Sequence, residues 1–201
     1  MNAKRIIGLA GTSGSGKSTV ANMIEEICFG SEVEVMSFAD PIKRGVLAMF
    51  EPVGVTLEML WGPSEARNAC PFPKSKCTSV RYLLQTLGTE WGRQMIYPNI
   101  WIDTTLDEAL ASDWDIVVIP DVRFENEMIG IKQIGGQIWH IDRNSDGPAS
   151  THASEVDVDR RNPAAAILRH ATHVLRNDGD LVSLKCGVTA LLSGQFDWTS
   201  S

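Results

Sequence analysis

The run Gly11-Thr12-Ser13-Gly14-Ser15-Gly16-Lys17-Ser18 has the spacing G-x-x-x-x-G-K-[ST], the pattern of a loop that holds a polyphosphate. Glycines at 11, 14 and 16 let the backbone approach the anion closely, so that successive amide N–H groups aim at its oxygens. Lys17 adds a point charge for the β and γ phosphates, and the Ser18 hydroxyl is a ligand type suited to Mg²⁺. Before the loop, Ile6-Ile7-Gly8-Leu9-Ala10 reads as a short buried strand. After it, Thr19 to Ile27 reads as a helix whose N-terminal dipole faces the anion. The nucleotide-binding candidates are therefore Gly11, Ser13, Gly14, Ser15, Gly16, Lys17, Ser18 and Thr19. The expected ligand is a nucleoside triphosphate with Mg²⁺; the rival is a glycine- and serine-rich turn that binds nothing.

Other residues of chemical interest lie downstream. Asp115-Ile116-Val117-Val118-Ile119 is a hydrophobic strand ending at Pro120-Asp121-Val122-Arg123. A carboxylate at such a strand end supplies a second Mg²⁺ contact in phosphate-loop enzymes, so Asp121 joins Ser18 as a metal candidate, with a turn-capping role as its rival. Arg123, two residues on, is within reach of an anion at the same edge. Asp40, Lys43 and Arg44 follow a second strand, Glu34 to Phe38, and stand either as a wall for a second substrate or as a helix cap and solvated basic turn. Arg81 and Gln85 are four apart on one helix flank, where an arginine suits a phosphate and an amide suits a base edge; a surface polar pair is the alternative.

These groups need elements to carry them. Alternating strand and helix patterns indicate an α/β fold with a parallel sheet, whose strand carboxyl ends line the ligand crevice. Pro41 opens a helix to Phe50, and Val80, Leu83, Leu84 and Leu87 form a buried helical stripe. Gly88 to Arg93 is expected to end or kink that helix, and another runs from Asn99 to Ala111 with Trp101 on its apolar side. Phe124 to Ile134 is helical and closes at Gly135-Gly136 before a strand, Gln137 to Ile141; His140 is read as an ordinary strand residue. A polar segment, Asn144 to Pro163, contains His152, Glu155, Arg160 and Arg161, and beside a triphosphate it would serve as a lid that brings arginines onto the transferred group. A short strand, His173 to Arg176, the turn Asn177-Asp178-Gly179 and a last helix to Leu192 follow.

The 201 residues suit one domain, or one with an insertion, and 43% hydrophobic content supports a core. Residues 51–77, rich in Pro, Gly and Cys, read as an irregular insertion or flap whose Trp61 and Phe72 pack on the core, with stacking on a base as the alternative. A net charge of −7 disfavours nucleic acid as a partner and favours a small anion in a local basic site. No apolar run reaches membrane-spanning length and no signal peptide is read at the N-terminus, so the expectation is a cytoplasmic protein without membrane partners. Cys28, Cys70, Cys77 and Cys186 lack zinc-site spacing and are expected to be reduced thiols.

Taken together, the phosphate loop, Phe38-Ala39-Asp40-Pro41-Ile42-Lys43, and Arg81-Tyr82-Leu83-Leu84-Gln85-Thr86-Leu87-Gly88-Thr89 resemble the bacteriophage deoxynucleoside monophosphate kinases. Trp101, Asp121-Val122-Arg123 with Glu127, Gly135-Gly136, Arg143, His152-Ala153-Ser154-Glu155 and Asn177-Asp178-Gly179 continue the resemblance in order. It implies a P-loop NTPase fold of three α/β/α layers around a parallel sheet, with an insertion at about 51–77, substrate-binding helices at about 78–112 and a lid at about 143–163. It also implies ATP and Mg²⁺ as cofactors and transfer of the γ-phosphate to a deoxynucleoside 5′-monophosphate, in the host cytoplasm for a phage-encoded chain. Lys17, Arg123 and Arg143 are then the catalytic candidates, and Asp40, Lys43, Arg81, Gln85, Gly88, Thr89, Trp101, Glu127, His152 and Glu155 the substrate-binding ones. Base preference does not carry over, and the assembly state, with a homodimer as one option, stays open. A phosphate-loop kinase for another small acceptor, of the dephospho-coenzyme A or phosphomevalonate type, and a regulatory or motor NTPase are the alternatives.

Overall fold

A computed structural model describes residues 4–72, 78–143 and 163–194. In chain order the regular elements are β1 (Arg5–Ala10), α1 (Lys17–Ile27), β2 (Val33–Val35), α2 (Asp40–Phe50), α3 (Leu57–Trp61) and α4 (Val80–Gln85), which runs into a π-helix (Thr86–Ile96). They continue with α5 (Ile100–Ala111), β3 (Ile116–Val122), α6 (Glu125–Gln133), β4 (Gln137–Asp142), α7 (Pro163–His170), β5 (His173–Arg176) and α8 (Leu181–Leu192). The chain divides into two compact units: Met1–Met36 with Ala109–Ser201, and Ser37–Glu108.

In the first unit the five strands form one sheet in the order β2-β3-β1-β4-β5, every pair parallel, as the alternating sequence pattern indicates. The β1 side chains alternate between faces. Ile7 and Leu9 join Val118, Trp139 and Ile141 in a core covered by Val20 and Ile24 of α1 and Leu184, Val188 and Leu191 of α8. Gly8 points the other way and leaves room for Ile131 of α6, whose Cδ1 would lie 2.7 Å from a Cβ at that position. Helices therefore cover both faces, and β1, paired on both edges, is buried from Ile6 to Ala10.

Three local expectations need correction. Strand β3 does not stop at Ile119 but runs through Pro120 to Val122. Gly8 pairs with Ile119 and Ala10 with Val122, so two residues of β3 oppose one of β1. A proline has no N–H for the ladder, and this bulge relieves it of that duty. Strand β2 ends at Val35 rather than Phe38, because the backbone beyond turns on side chains: Ser37 N–H donates to Asp40 Oδ2 at 2.7 Å and Ala39 N–H to Ser37 Oγ at 3.1 Å. Helix α7, between the polar segment and β5, was not anticipated; Glu125 of α6 accepts from Arg169 and faces the His170 ring at 2.9 Å.

The second unit has its own core, Val46, Val55, Leu60 and Val80, with Leu83, Leu84 and Leu87 of the expected stripe packed against it. The supposedly irregular stretch after Phe50 is, over its described part, a series of short helical turns at Glu51–Val53, Leu57–Trp61 and Ser64–Asn68. Phe72 packs edge-on to Phe50 at 5.3 Å, a core position, whereas Trp61 is 42% exposed. Gly88 to Arg93 neither ends nor sharply breaks the helix but widens it into the π-form, with Tyr97 N–H donating to Gly92 O. Trp101 explains this: its Nε1 donates to Gly88 O at 2.7 Å, and its ring lies where a Cβ on Gly92 would stand, 2.5 Å from Cζ2. Among the described residues no helix is long and apolar enough to cross a membrane.

Because the neighbour of Gly92 is a rigid indole, Gly92→Ala should cost about 1–3 kcal/mol through overpacking. Urea unfolding followed by Trp fluorescence measures it, and a variant as stable as the parent would contradict this packing.

Candidate nucleotide-binding site

Strand β1 leaves the sheet at Ala10, and three glycines with positive φ turn the chain back into α1: Gly11 (φ +153°), Gly14 (+77°) and Gly16 (+102°). At Gly11 a side chain is excluded by space as well as by conformation, since a Cβ would stand 2.5 Å from Ile141 O and 2.7 Å from Ser15 Oγ. Gly16 caps α1 in the left-handed conformation; no side chain caps the helix and its first turn holds no acidic residue. The amides of that turn thus face outward without a built-in anion, the condition for binding an external one.

Gly14, Gly16, Lys17, Ser18, Thr19 and Arg143 line one open pocket. Lys17 Nζ folds back on its own loop, donating to Gly11 O at 2.8 Å and Thr12 O at 2.7 Å. Burial, and secondarily the Arg123 guanidinium, hold the Lys17 ammonium below its ordinary pKa. The negative charge of an entering polyanion would oppose both effects by favouring the ammonium form. Arg143, just past β4, reaches Gly14 O at 3.3 Å. Ser13 is exposed in the loop, while Ser15 is 1% exposed and its hydroxyl has no hydrogen-bond partner among the described residues.

The register of β3 places Asp121 beside the start of the loop, because its neighbour Val122 pairs with Ala10. Arg123 follows at the same edge, and its backbone N–H donates to Glu127 Oε2 at 2.8 Å; Phe124 N–H donates to the same oxygen at 3.0 Å. Glu127 is 2% exposed and closes the start of α6. This oxygen therefore holds the backbone that presents Arg123, a positioning task distinct from the substrate contact expected of this residue.

The remaining expected residues lie in the Ser37–Glu108 unit or outside the described residues. Asp40 accepts from Ser37 N, Lys43 Nζ and Trp61 Nε1, the last two at 3.0 Å, and so organises the start of α2; Lys43 also lies 5.5 Å from the Trp61 ring centroid. Arg44 pairs with Glu108. Arg81 Nη2 donates to Ser64 O and Oγ at 2.8 and 2.9 Å, and its Nε to Asn68 Oδ1, while Gln85 and Thr89 are exposed along the same continuous helix. Gly88 and Trp101 are buried against each other and support that helix from within. His152, Glu155, Arg160 and Arg161 lie outside the described residues, as does Cys77.

One contact escaped the sequence reading. Asn177, after β5, donates through Nδ2 to Ser15 O at 2.8 Å and sits where a Cβ on Gly16 would be. The available signal is the Asn177-Asp178-Gly179 stretch, which the sequence marks as a turn and as part of the family resemblance without revealing this contact.

Comparison with known proteins extends this geometry to a family. The model of the deoxynucleotide monophosphate kinase family matches residues 65–188, more than half of the chain. A protein of Acanthamoeba polyphaga mimivirus, described provisionally as a deoxynucleotide monophosphate kinase, is 33% identical over 165 residues, 76% of this chain and 81% of its own. A dephospho-CoA kinase of Shewanella oneidensis is 27% identical over 202 residues, 94% of this chain and 92% of its own. Among solved structures, TT1252 from Thermus thermophilus shares the fold with a TM-score of 0.52 at 18% identity, covering 97% of this chain and 100% of that one. On the family match and the mimivirus relative, the chain belongs to the deoxynucleotide monophosphate kinase family.

Proposed function

We propose that this protein transfers the γ-phosphoryl group of ATP to a deoxynucleoside 5′-monophosphate, giving ADP and the deoxynucleoside diphosphate. The observation that carries the reading is the glycine-turned loop with Lys17 at an uncapped helix start, in a chain of this family. In the reaction an acceptor phosphate oxygen attacks the γ-phosphorus in line while the bond to the β,γ-bridging oxygen breaks and ADP leaves. The acceptor is already anionic, so no residue has to remove a proton, and the work left to the protein is alignment and charge neutralisation.

The residues fit that work. Lys17 exchanges its two loop carbonyls for β- and γ-phosphate oxygens, and the loop amides cradle the same groups. Arg123 and Arg143, from the ends of β3 and β4, face the charge that spreads over the transferring group. Ser18 and Asp121 would hold Mg²⁺; a hydroxyl and a carboxylate are the hard oxygen donors it takes, with the remaining positions left to phosphate and water. Among the described residues no cluster of three His, Cys, Asp or Glu offers an all-protein metal cage, which suits an ion shared with the nucleotide. The bound ion neutralises phosphate charge. For the acceptor, Arg81 supplies a bidentate phosphate grip and Gln85 a base-edge contact, with Thr89 farther along the helix and Asp40 and Lys43 organising the start of α2. The site of action is the cytoplasm, and nucleic acid is not a substrate.

The Shewanella relative favours one second reading, a kinase of the dephospho-CoA type. A coupled ADP-forming assay over deoxynucleoside monophosphates and dephospho-CoA separates the two: turnover is expected with the deoxynucleotides alone. Turnover confined to dephospho-CoA, or hydrolysis stimulated by DNA without any acceptor product, would replace the proposal. Lys17→Ala should remove transfer by at least about 10³-fold with the circular dichroism spectrum unchanged; near-parent turnover in a folded variant would refute the loop's role. Arg81→Ala should raise the acceptor KM about tenfold or more with the KM for ATP unaltered, and an unchanged acceptor KM would remove Arg81 from the acceptor site. In an NMR titration the Lys17 amine should deprotonate below the ordinary lysine range in the free protein and at higher pH once Mg²⁺ and a non-hydrolysable ATP analogue are bound. An unshifted titration on binding would contradict contact with the phosphates.

A further inference from the structure

Asn177 has no assigned part in the reaction, yet its side chain is tied to the phosphate loop. Nδ2 donates to Ser15 O at 2.8 Å, and the side chain lies against the bare Cα of Gly16, where a Cβ would approach Nδ2 to 2.5 Å. Asn177 is itself anchored: its backbone N–H donates to Asp142 O at 2.7 Å, extending the β4–β5 ladder past the pair Asp142 and Arg176. The next residue after Asp142 is Arg143, which lines the pocket.

The consequence follows from the peptide unit. In a trans peptide the carbonyl and the N–H across the C–N bond point in opposite directions, so holding Ser15 C=O on one side aims Gly16 N–H at the other. Among the described residues no peptide is cis, the Ser15–Gly16 unit included. Gly16, at φ +102°, tolerates either sign of φ, so a flip of the Ser15–Gly16 peptide would meet little intrinsic resistance. A flipped unit would present a carbonyl, and its negative dipole, to the phosphates. The carbonyl bond to Asn177 opposes that flip.

We infer that Asn177 is a positioning residue that pins the Ser15–Gly16 peptide, so that the Gly16 amide stays aimed at the bound triphosphate. The inference rests on the reading of the loop as a triphosphate site. It assigns to the end of β5 a share in polyphosphate affinity, exerted through the loop backbone and not through contact with the nucleoside.

Two variants and two ligands test it. Asn177→Ala removes the donor; Asn177→Asp keeps the shape and sets a carboxylate against the Ser15 carbonyl. Calorimetric affinities for a non-hydrolysable ATP analogue with Mg²⁺, and for inorganic tripolyphosphate with Mg²⁺, are compared with the acceptor KM. Asn177→Ala should weaken both ligands by the same factor, up to about tenfold. Asn177→Asp should weaken both further, and the acceptor KM should stay at the parent value. Parent-like affinity in either folded variant would overturn the inference. So would a loss for the ATP analogue without one for tripolyphosphate, which would put Asn177 on the nucleoside, or a rise in acceptor KM alongside. Failure of both variants to fold would make Asn177 a residue of the fold and overturn it as well. If the unaltered protein binds neither ligand, the triphosphate reading itself has failed, an outcome distinct from any failure of the variants alone.

Discussion

A buried strand must reverse into a helix within a few residues while keeping its amides outward, and this constraint governs the rest of the protein. Ordinary residues cannot take the left-handed conformations that the turn requires without strain, and at Gly11 a side chain would also strike Ile141 O. The loop therefore gains its chemistry from what is missing: side chains at the turning points, a side-chain cap on α1, and acidic residues in its first turn. What remains is a nest of N–H groups with Lys17 beside it, a fixed positive region whose geometry does not have to be assembled when an anion arrives.

Such a loop is soft unless its neighbours are rigid. Strand β1 is paired on both sides and its Ile7 and Leu9 are fully buried, so the chain enters the turn from a strand held on every side. The side of α1 that bears Val20 and Ile24 is locked against the same core. Neighbouring strands then deliver their ends to one edge: β3 brings Asp121 and Arg123, β4 brings Arg143, and β5 brings Asn177. Even the buried carboxylate of Glu127 serves this edge, by fixing the backbone from which Arg123 projects.

What could be read from the sequence depended on whether the determinants were local. The loop declared itself because glycine, lysine and serine at fixed spacing have a direct physical meaning, and the parallel sheet followed from alternating strand and helix patterns. Pro120 misled because a proline argues against a ladder, and only pairing with β1 shows the bulge that admits it. The π-helix was hidden for a similar reason: Gly88 and Gly92 look like breakers until Trp101 is seen to occupy the space beside them. Glu127 and Asn177 act on backbone groups whose direction no sequence pattern reveals: the resemblance offers Glu127 as a substrate contact and includes Asn177 in a turn, but neither hydrogen bond is legible from residue types.

If the loop is a preformed nest of amides, the evidence lies in the amides themselves. In ¹⁵N–¹H correlation spectra, adding Mg²⁺ and a non-hydrolysable ATP analogue should move the N–H resonances of Ser15 to Thr19 strongly downfield, the mark of hydrogen bonds to phosphate oxygen. Saturable binding that leaves those resonances in place, and shifts amides elsewhere in the chain instead, would contradict the account.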